Sequence, residues 1–272
     1  MVCSTAWAYG AARSGLGLGW PWAAYDWATA GVGGVAHNIP LPQNKKRKGR
    51  RFTIAVSSDK VLMMENKKPR WSSDYLPDET LRARAQHFPR NSGVEERALA
   101  ISRRLPTRPA VFAEIGVYAG DVSEMVLRWR PDVDAVLVDS WTAAPLGSDW
   151  EKTRDGHAAM CQTEHELVYQ FCRERMAFAG SAVRIMPLDS LTAAALVDNA
   201  TLDLVFLDAD HSLEAVRSDI EAWLPKVKPG GWIGGHDYAN EMFPLFGVKQ
   251  AVDERFGSQV ELDANYTWFV RV

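Results

Sequence analysis

From Arg108 onward, short apolar runs alternate with stretches in which apolar residues recur every three or four positions. Ala110–Ile115, Ala135–Asp139, Val183–Asp189, Leu202–Leu207 and Trp232–Gly235 are compact and mostly apolar, without strict polar alternation. That is the pattern of strands covered on both faces. Between them, Val122, Met125, Val126 and Trp129 fall at i, i+3, i+4 and i+7. This spacing predicts a helix that Asp121 or Ser123 can cap and Pro131 stops. Further helices are predicted over Glu164–Phe178, ended by Gly180, over Leu191–Val197, over Leu213–Leu224, ended by Pro225, and over Val248–Phe256. Val260–Leu262 and Thr267–Val272 complete the strands, and residues 142–160 read as a polar loop.

Upstream the signal is weaker. Val94, Leu99, Ile101 and Leu105 give an imperfect apolar face to a helix from Ser92 to Leu105, closed by Pro106. Residues 67–91 are polar and proline-punctuated, with a short helix expected over 78–87. Phe52–Val56 and Lys60–Met64 suit a hairpin across Ser57-Ser58-Asp59. Residues 1–52 lack either periodicity but hold Trp7, Trp20, Trp22 and Trp27, an apolar supply for the core or for a second copy of the chain in a homo-oligomer. The expected organisation is an N-terminal extension over 1–91 and an α/β domain over 92–272. At least five alternations of strand and helix predict a doubly wound, mostly parallel sheet.

Composition narrows the class. The chain has 272 residues, 47% of them hydrophobic, and a formal net charge of −3. It can bury a sizeable core and lacks the overall positive field of a nucleic-acid binder. A basic run, Lys45–Arg51, keeps an RNA-modifying or nucleic-acid-binding alternative open, although no aromatic residue interleaves it. Residues 14–43 carry one formal charge, Asp26, but breaks at Gly15, Gly17, Gly19, Pro21, Gly31, Gly33 and Gly34 argue against a membrane span. Three cysteines, Cys3, Cys161 and Cys172, form no paired framework, which points to a reducing, cytoplasmic setting. Neither CxxC nor HExxH occurs, so a zinc site is not expected.

In such sheets a ligand binds beyond the carboxyl ends of the strands. Glu114, Asp139, Asp189, Asp208, Asp210, His236 and Asp237 all fall at those ends. Glu114-Ile115-Gly116-Val117-Tyr118-Ala119-Gly120 is a strand–turn–helix passage with an acid before the first glycine. A dinucleotide site would carry a second glycine where Tyr118 stands, so an NAD-linked dehydrogenase is the weaker alternative. An acid beside the turn repels a phosphate and suits an ammonium group. Asp139, ending the next strand, can accept from both hydroxyls of a ribose. Asp189-Ser190 can meet the edge of a base. Asp208-Ala209-Asp210-His211 and His236-Asp237 close what should be adjacent strands, and such a cluster can hold a hard divalent cation or take up a proton.

Glu114–Gly120, Val138-Asp139-Ser140-Trp141, Phe206–His211 and Lys228–Tyr238 together resemble class I S-adenosylmethionine-dependent methyltransferases, in particular the small-molecule O-methyltransferase branch that often uses Mg²⁺. The resemblance covers residues 92–272. It implies a Rossmann-like seven-stranded sheet with an antiparallel final strand, and S-adenosylmethionine as methyl donor. Cofactor contacts are then expected from Glu114, Gly116, Tyr118, Gly120, Asp139, Ser140, Asp189, Ser190 and Asp208. Asp208, His236 and Asp237 fall at metal-ligand positions, with His236 where the branch usually carries an acid. Asp210 or His211 falls at the position of the catalytic base, His211 being favoured because imidazole accepts a proton near neutral pH. The acceptor implied is a hydroxylated small molecule or sugar.

Overall fold

The computed structural model describes residues 55–57, 60–62 and 92–272. The tryptophan-bearing segment, the basic run and the helix expected over 78–87 lie outside them. Strands β1 (Ala55–Ser57) and β2 (Lys60–Leu62) pair antiparallel, Ala55 opposite Leu62, and are the described part of the expected hairpin, with Ser57 in the strand and not in the turn.

The remaining elements follow in chain order: α1 (Ser92–Ser102), β3 (Ala110–Ile115), α2 (Asp121–Trp129), β4 (Val133–Asp139), α3 (Asp149–Lys152), α4 (Gln162–Met176), β5 (Val183–Pro187), α5 (Ser190–Ala195), β6 (Leu202–Leu207), α6 (Leu213–Trp223), β7 (Val227–Gly235), α7 (Val248–Phe256), β8 (Glu261–Asp263) and β9 (Thr267–Arg271). The sheet order is β5-β4-β3-β6-β7-β9-β8. β3 to β7 run parallel, while β9 is antiparallel to β7 and β8. This is a seven-stranded, mostly parallel Rossmann-like sheet.

Strand periodicity divides the core into two layers. Phe112, Ala135, Leu137, Leu204 and Phe206 face a cluster with α1, α2 and α4. Ala113, Ile115, Val136, Val138, Val205 and Leu207 face the opposite cluster with α5, α6 and α7. The predicted α2 face is fully used, since Val122, Met125, Val126 and Trp129 are all buried. Burying each such side chain contributes about 1.5–3 kcal/mol relative to exposure.

Several boundaries differ from the sequence reading. β7 begins at Val227, because Pro229 and Gly230 sit within the strand at a register shift opposite Leu202/Leu204 and do not form a separate turn. α4 begins two residues early, where Glu164 reaches back to the Cys161 amide and closes a capping box. The 142–160 loop contains α3, which is N-capped by Ser148, and a single 3-10 turn at His157–Ala159. No helix of the described residues is long and apolar enough to cross a membrane.

The candidate active site

β4 and β6 lie on either side of β3, so the chain reverses its direction of winding there and leaves a crevice at the carboxyl ends. Backbone bonds carry the ladder one step past the strands. The Gly116 amide donates to the Val138 carbonyl at 2.8 Å, the Asp208 amide to Ile115 at 2.7 Å and the His236 amide to Leu207 at 3.0 Å. Gly116, Asp139, Asp208 and His236 therefore end at one level, with Glu114 two residues lower on β3.

On one side is the glycine turn. Gly116 has φ +87°, and a Cβ there would run into the backbone of Asp208 and Ala209. Only glycine permits both the left-handed conformation and that approach. Tyr118 also has positive φ, and its amide donates to Asp139 Oδ2 at 2.8 Å. The Trp141 amide donates to Asp139 Oδ1 at 2.8 Å. Burial raises the carboxyl pKa of Asp139, against the lowering effect of those amides. Glu114 is buried and accepts the Ser123 hydroxyl. Burial pushes its pKa up to about 8, despite the Ser123 bond. Asp189 is exposed and caps α5 through the Thr192 amide at 2.9 Å. The Ser190 hydroxyl is turned toward Asp219, at 2.5 Å. Ser140 makes only a local turn with Thr142.

On the other side the ends of β6 and β7 assemble a charged cluster. Asp208 Oδ2 accepts from Arg97 of α1 at 2.8 Å. Asp208 Oδ1 lies 3.4 Å from His236 Nδ1 and 3.5 Å from His211 Nε2. Asp237 Oδ2 lies 3.0 Å from His211 Nε2 and 3.1 Å from His236 Nδ1. Asn240 donates to Asp237 Oδ1 at 2.6 Å. His211 Nδ1 sits 3.2 Å from Asp155 Oδ2, and Asp155 in turn accepts the Trp150 indole at 3.2 Å and the His157 amide at 2.9 Å. Phe246 lies flat on the His211 ring, 4.3 Å between centroids. His211 Nε2 is buried, with the Asp208 and Asp237 carboxylates as its neighbours.

Burial alone would lower the pKa of His211, but bonds to Asp155, Asp208 and Asp237 outweigh it and raise the imidazolium well above its usual range. His236 is likewise raised, to about 9, by Asp208 and Asp237 against burial. Burial opposes ionisation of Asp208 and Asp237 too, yet the histidines hold both carboxyls low.

The structure thus brings together Glu114, Gly116, Tyr118 and Asp139 around the turn, and Asp208, His211, His236 and Asp237 in the cluster. Asp210 is engaged elsewhere, because its carboxylate accepts the Ser212 amide at 2.8 Å at the start of α6. Three members escaped the sequence reading. Arg97 lay on the polar side of a helix read only for its apolar face. Asn240 follows the last motif. Asp155 lay in the segment read as a polar loop. Asp208, His211 and Asp237 bring one ligand atom each within 4.8 Å of one another, a set that fits a divalent cation, and His236 Nδ1 borders the same carboxylates. Mixed imidazole and carboxylate donors suit first-row transition ions as readily as Mg²⁺.

Residues 113–238 match the family model described as a methyltransferase domain. Among solved structures, the calicheamicin methyltransferase CalS11 is 17% identical, with 73% of this chain and 87% of that one covered and a TM-score of 0.51. The O-methyltransferase NovP is 21% identical over 70% of this chain and 78% of its own, with a TM-score of 0.45. A search of curated proteins finds no match. The family match over residues 113–238 and the sheet order support a class I methyltransferase domain, the class that draws its methyl group from S-adenosylmethionine.

Proposed function

We propose that this class I methyltransferase methylates a hydroxyl oxygen of a small organic molecule, with His211 as the base that takes the hydroxyl proton. The observation that carries the reading is His211 itself. One ring nitrogen is held by Asp155, and the other faces the Asp208 and Asp237 carboxylates at 3.5 and 3.0 Å, past the end of the strand beside the glycine turn. A base needs an orienting partner on one nitrogen and must be neutral when it acts, so turnover should rise with pH toward the raised pKa of His211.

The cofactor side follows from the chain's own groups. The Gly116 turn, with Tyr118 and Gly120, lets the backbone come close to a ligand. Asp139 has one remaining lone-pair site on each oxygen for the ribose hydroxyls. Glu114 faces the amino-acid end, where an ammonium can draw it into the charged form. Asp189 and Ser190 border the position for the base edge. When bound, the cofactor supplies a sulfonium-activated methyl group. His211 Nε2 would take the hydroxyl proton of the acceptor whose oxygen receives that methyl. Alignment of reacting groups in this way can lower a barrier by about 7–11 kcal/mol in favourable cases.

Asp208, Asp237 and His236 would hold a divalent cation, which would supply a Lewis acid for the acceptor oxygen. That assignment leaves His211 free, since one nitrogen cannot both ligate a cation and accept a proton. The acceptor side is apolar. Phe243 stacks on Phe246 at 4.7 Å, and Met242 and Leu245 of the same segment are 67% and 54% exposed. Such a surface suits the carbon body of a small acceptor better than a nucleic-acid backbone.

The test is methyl transfer from labelled S-adenosylmethionine to a panel of hydroxylated compounds, with the product mapped by mass spectrometry. The reading expects label on oxygen and a loss of roughly 100-fold or more in kcat for His211→Gln with little change in cofactor affinity. Methyl on nitrogen or carbon refutes it. Loss of turnover in chelator, restored by Mg²⁺ or Mn²⁺, supports the cation; full turnover in chelator removes the cation and leaves the base.

A further inference from the structure

His165 is a buried histidine that the mechanism above does not use. It lies one turn into α4, is 4% exposed, and its Nε2 is buried without a hydrogen-bond partner among the described residues. A buried polar nitrogen left unsatisfied costs about 1–3 kcal/mol, so such an atom calls for an explanation.

Its neighbours place it over the end of β4. Gln162, in the same turn, donates to the Trp141 carbonyl at 3.1 Å and accepts the Ala143 amide at 3.1 Å. These bonds pin the start of α4 to the chain just past Asp139. Tyr169, four residues after His165 and on the same helix face, packs on the Trp141 ring at 4.6 Å. The Trp141 amide is one of the two that hold Asp139. The far side of the His165 ring is closed by Trp150, whose ring lies 6.3 Å away.

We infer that His165 is a further cofactor-binding residue, its Nε2 reserved for a hydroxyl of the cofactor ribose beside Asp139. This rests on the S-adenosylmethionine reading above and adds a contact to it. The electrostatics agree. Burial lowers the pKa of His165 while Asp139 raises it, and His165 lowers that of Asp139 in return, so the two groups sense each other. The His157 carbonyl also faces the ring. A neutral imidazole that donates there keeps a lone pair on its second nitrogen. Both oxygens of Asp139 already accept one amide each, so a second acceptor in the same place lets each ribose hydroxyl find a well-directed partner.

The experiment compares calorimetric binding of S-adenosylhomocysteine and its 2′-deoxy and 3′-deoxy analogues to the unsubstituted chain, His165→Asn and His165→Gln. Asn keeps a polar atom near Nδ1 and has none at Nε2, whereas Gln reaches the Nε2 position. The expected result is about tenfold weaker S-adenosylhomocysteine binding for His165→Asn, and recovery to within about threefold for His165→Gln. One of the deoxy analogues, penalised in the unsubstituted chain, should lose its extra penalty in His165→Asn. Equal losses for all three ligands would make His165 a packing residue and overturn the inference, as would unchanged affinity. Should His165→Asn fail to fold, ¹⁵N NMR of the imidazole decides on the unsubstituted chain. A ligand-induced shift of the His165 Nε2 resonance with S-adenosylhomocysteine, reduced with one deoxy analogue, supports the contact, and no shift refutes it. Failure of the unsubstituted chain to bind S-adenosylhomocysteine would instead show that the cofactor reading itself is wrong.

Discussion

Replacing Glu114 by Gln tests the electrostatics of the glycine turn without disturbing its shape. Glu114 is 2% exposed and its pKa is raised from 4.5 to about 8, with burial the largest cause. An acid raised on folding holds a proton that the unfolded chain has already lost. Stability from this group is therefore full below pH 4.5, falls as pH rises through the window from 4.5 to 8, and is level above it. At about 1.4 kcal/mol per pH unit, the window of roughly 3.5 units corresponds to about 5 kcal/mol as an upper figure. Gln keeps an oxygen to accept the Ser123 hydroxyl but does not titrate. Urea unfolding of both proteins at pH 5, 6, 7 and 8 isolates the effect. Asp219, another buried acid raised to about 7, is common to both and cancels in the difference. The stability of Glu114→Gln relative to the unsubstituted chain should climb by as much as ~1.4 kcal/mol per unit across that range. Saturating S-adenosylhomocysteine should flatten the climb, because an ammonium next to Glu114 favours its charged form. A difference that stays constant from pH 5 to 8 would refute the assignment of a neutral buried acid.

Asp139→Ala removes the acceptor held between the Tyr118 and Trp141 amides and should weaken S-adenosylhomocysteine binding by roughly tenfold or more in calorimetry; unchanged affinity would take Asp139 out of the site. Asp155→Asn removes the carboxylate charge facing His211 Nδ1, so kcat should fall about 100-fold while cofactor affinity holds, and parallel losses in both would indicate collapse of the 142–160 segment instead. Gly116→Ala combines φ +87° with a Cβ collision against the Asp208 backbone, and should cost about 2–3 kcal/mol or more in urea unfolding; a cost below about 0.5 kcal/mol would contradict the described turn.

The parts of this molecule that sequence made legible are those where one local rule decides the outcome. β3, β4 and β6 are apolar on both faces, and only a strand between two helical layers satisfies such a run. The four apolar positions of α2 repeat with helical spacing, and all four are buried. Acids and histidines directly after such strands necessarily reach the carboxyl edge, so Glu114, Asp139, Asp208 and His236 could be placed before any coordinates. What stayed hidden depends on contacts far apart in sequence. Asp155 meets His211 across 56 positions and Arg97 meets Asp208 across 111. Nothing local distinguishes Asp155 from a solvated loop acid. The start of β7 was misplaced for a related reason. Pro229-Gly230-Gly231 has turn chemistry, and only pairing with β6 across a register shift draws it into the sheet.

The two acids that face each other across β3 and β6 show why burial by itself does not assign a role. Glu114 and Asp208 are both shielded from water, and burial opposes ionisation in each. Asp208 has Arg97 at 2.8 Å and two imidazoles within 3.5 Å, so it is ionised. Glu114 has a single hydroxyl and is neutral near pH 7. The difference lies in the cations supplied, and those come from α1 and from the ends of β6 and β7. Neighbouring carboxyls whose environments push their pKa values apart are suited to separate tasks. The permanently charged Asp208 anchors His211 and His236 in place. The neutral Glu114 is poised to ionise when a cationic ligand arrives. A substitution that strips Arg97 from Asp208 should therefore disturb the proposed catalytic cluster first and the proposed ammonium site only second, an order that a comparison of kcat with cofactor affinity in Arg97→Met would reveal. Equal damage to both would mean that the two acids act as one shared charge.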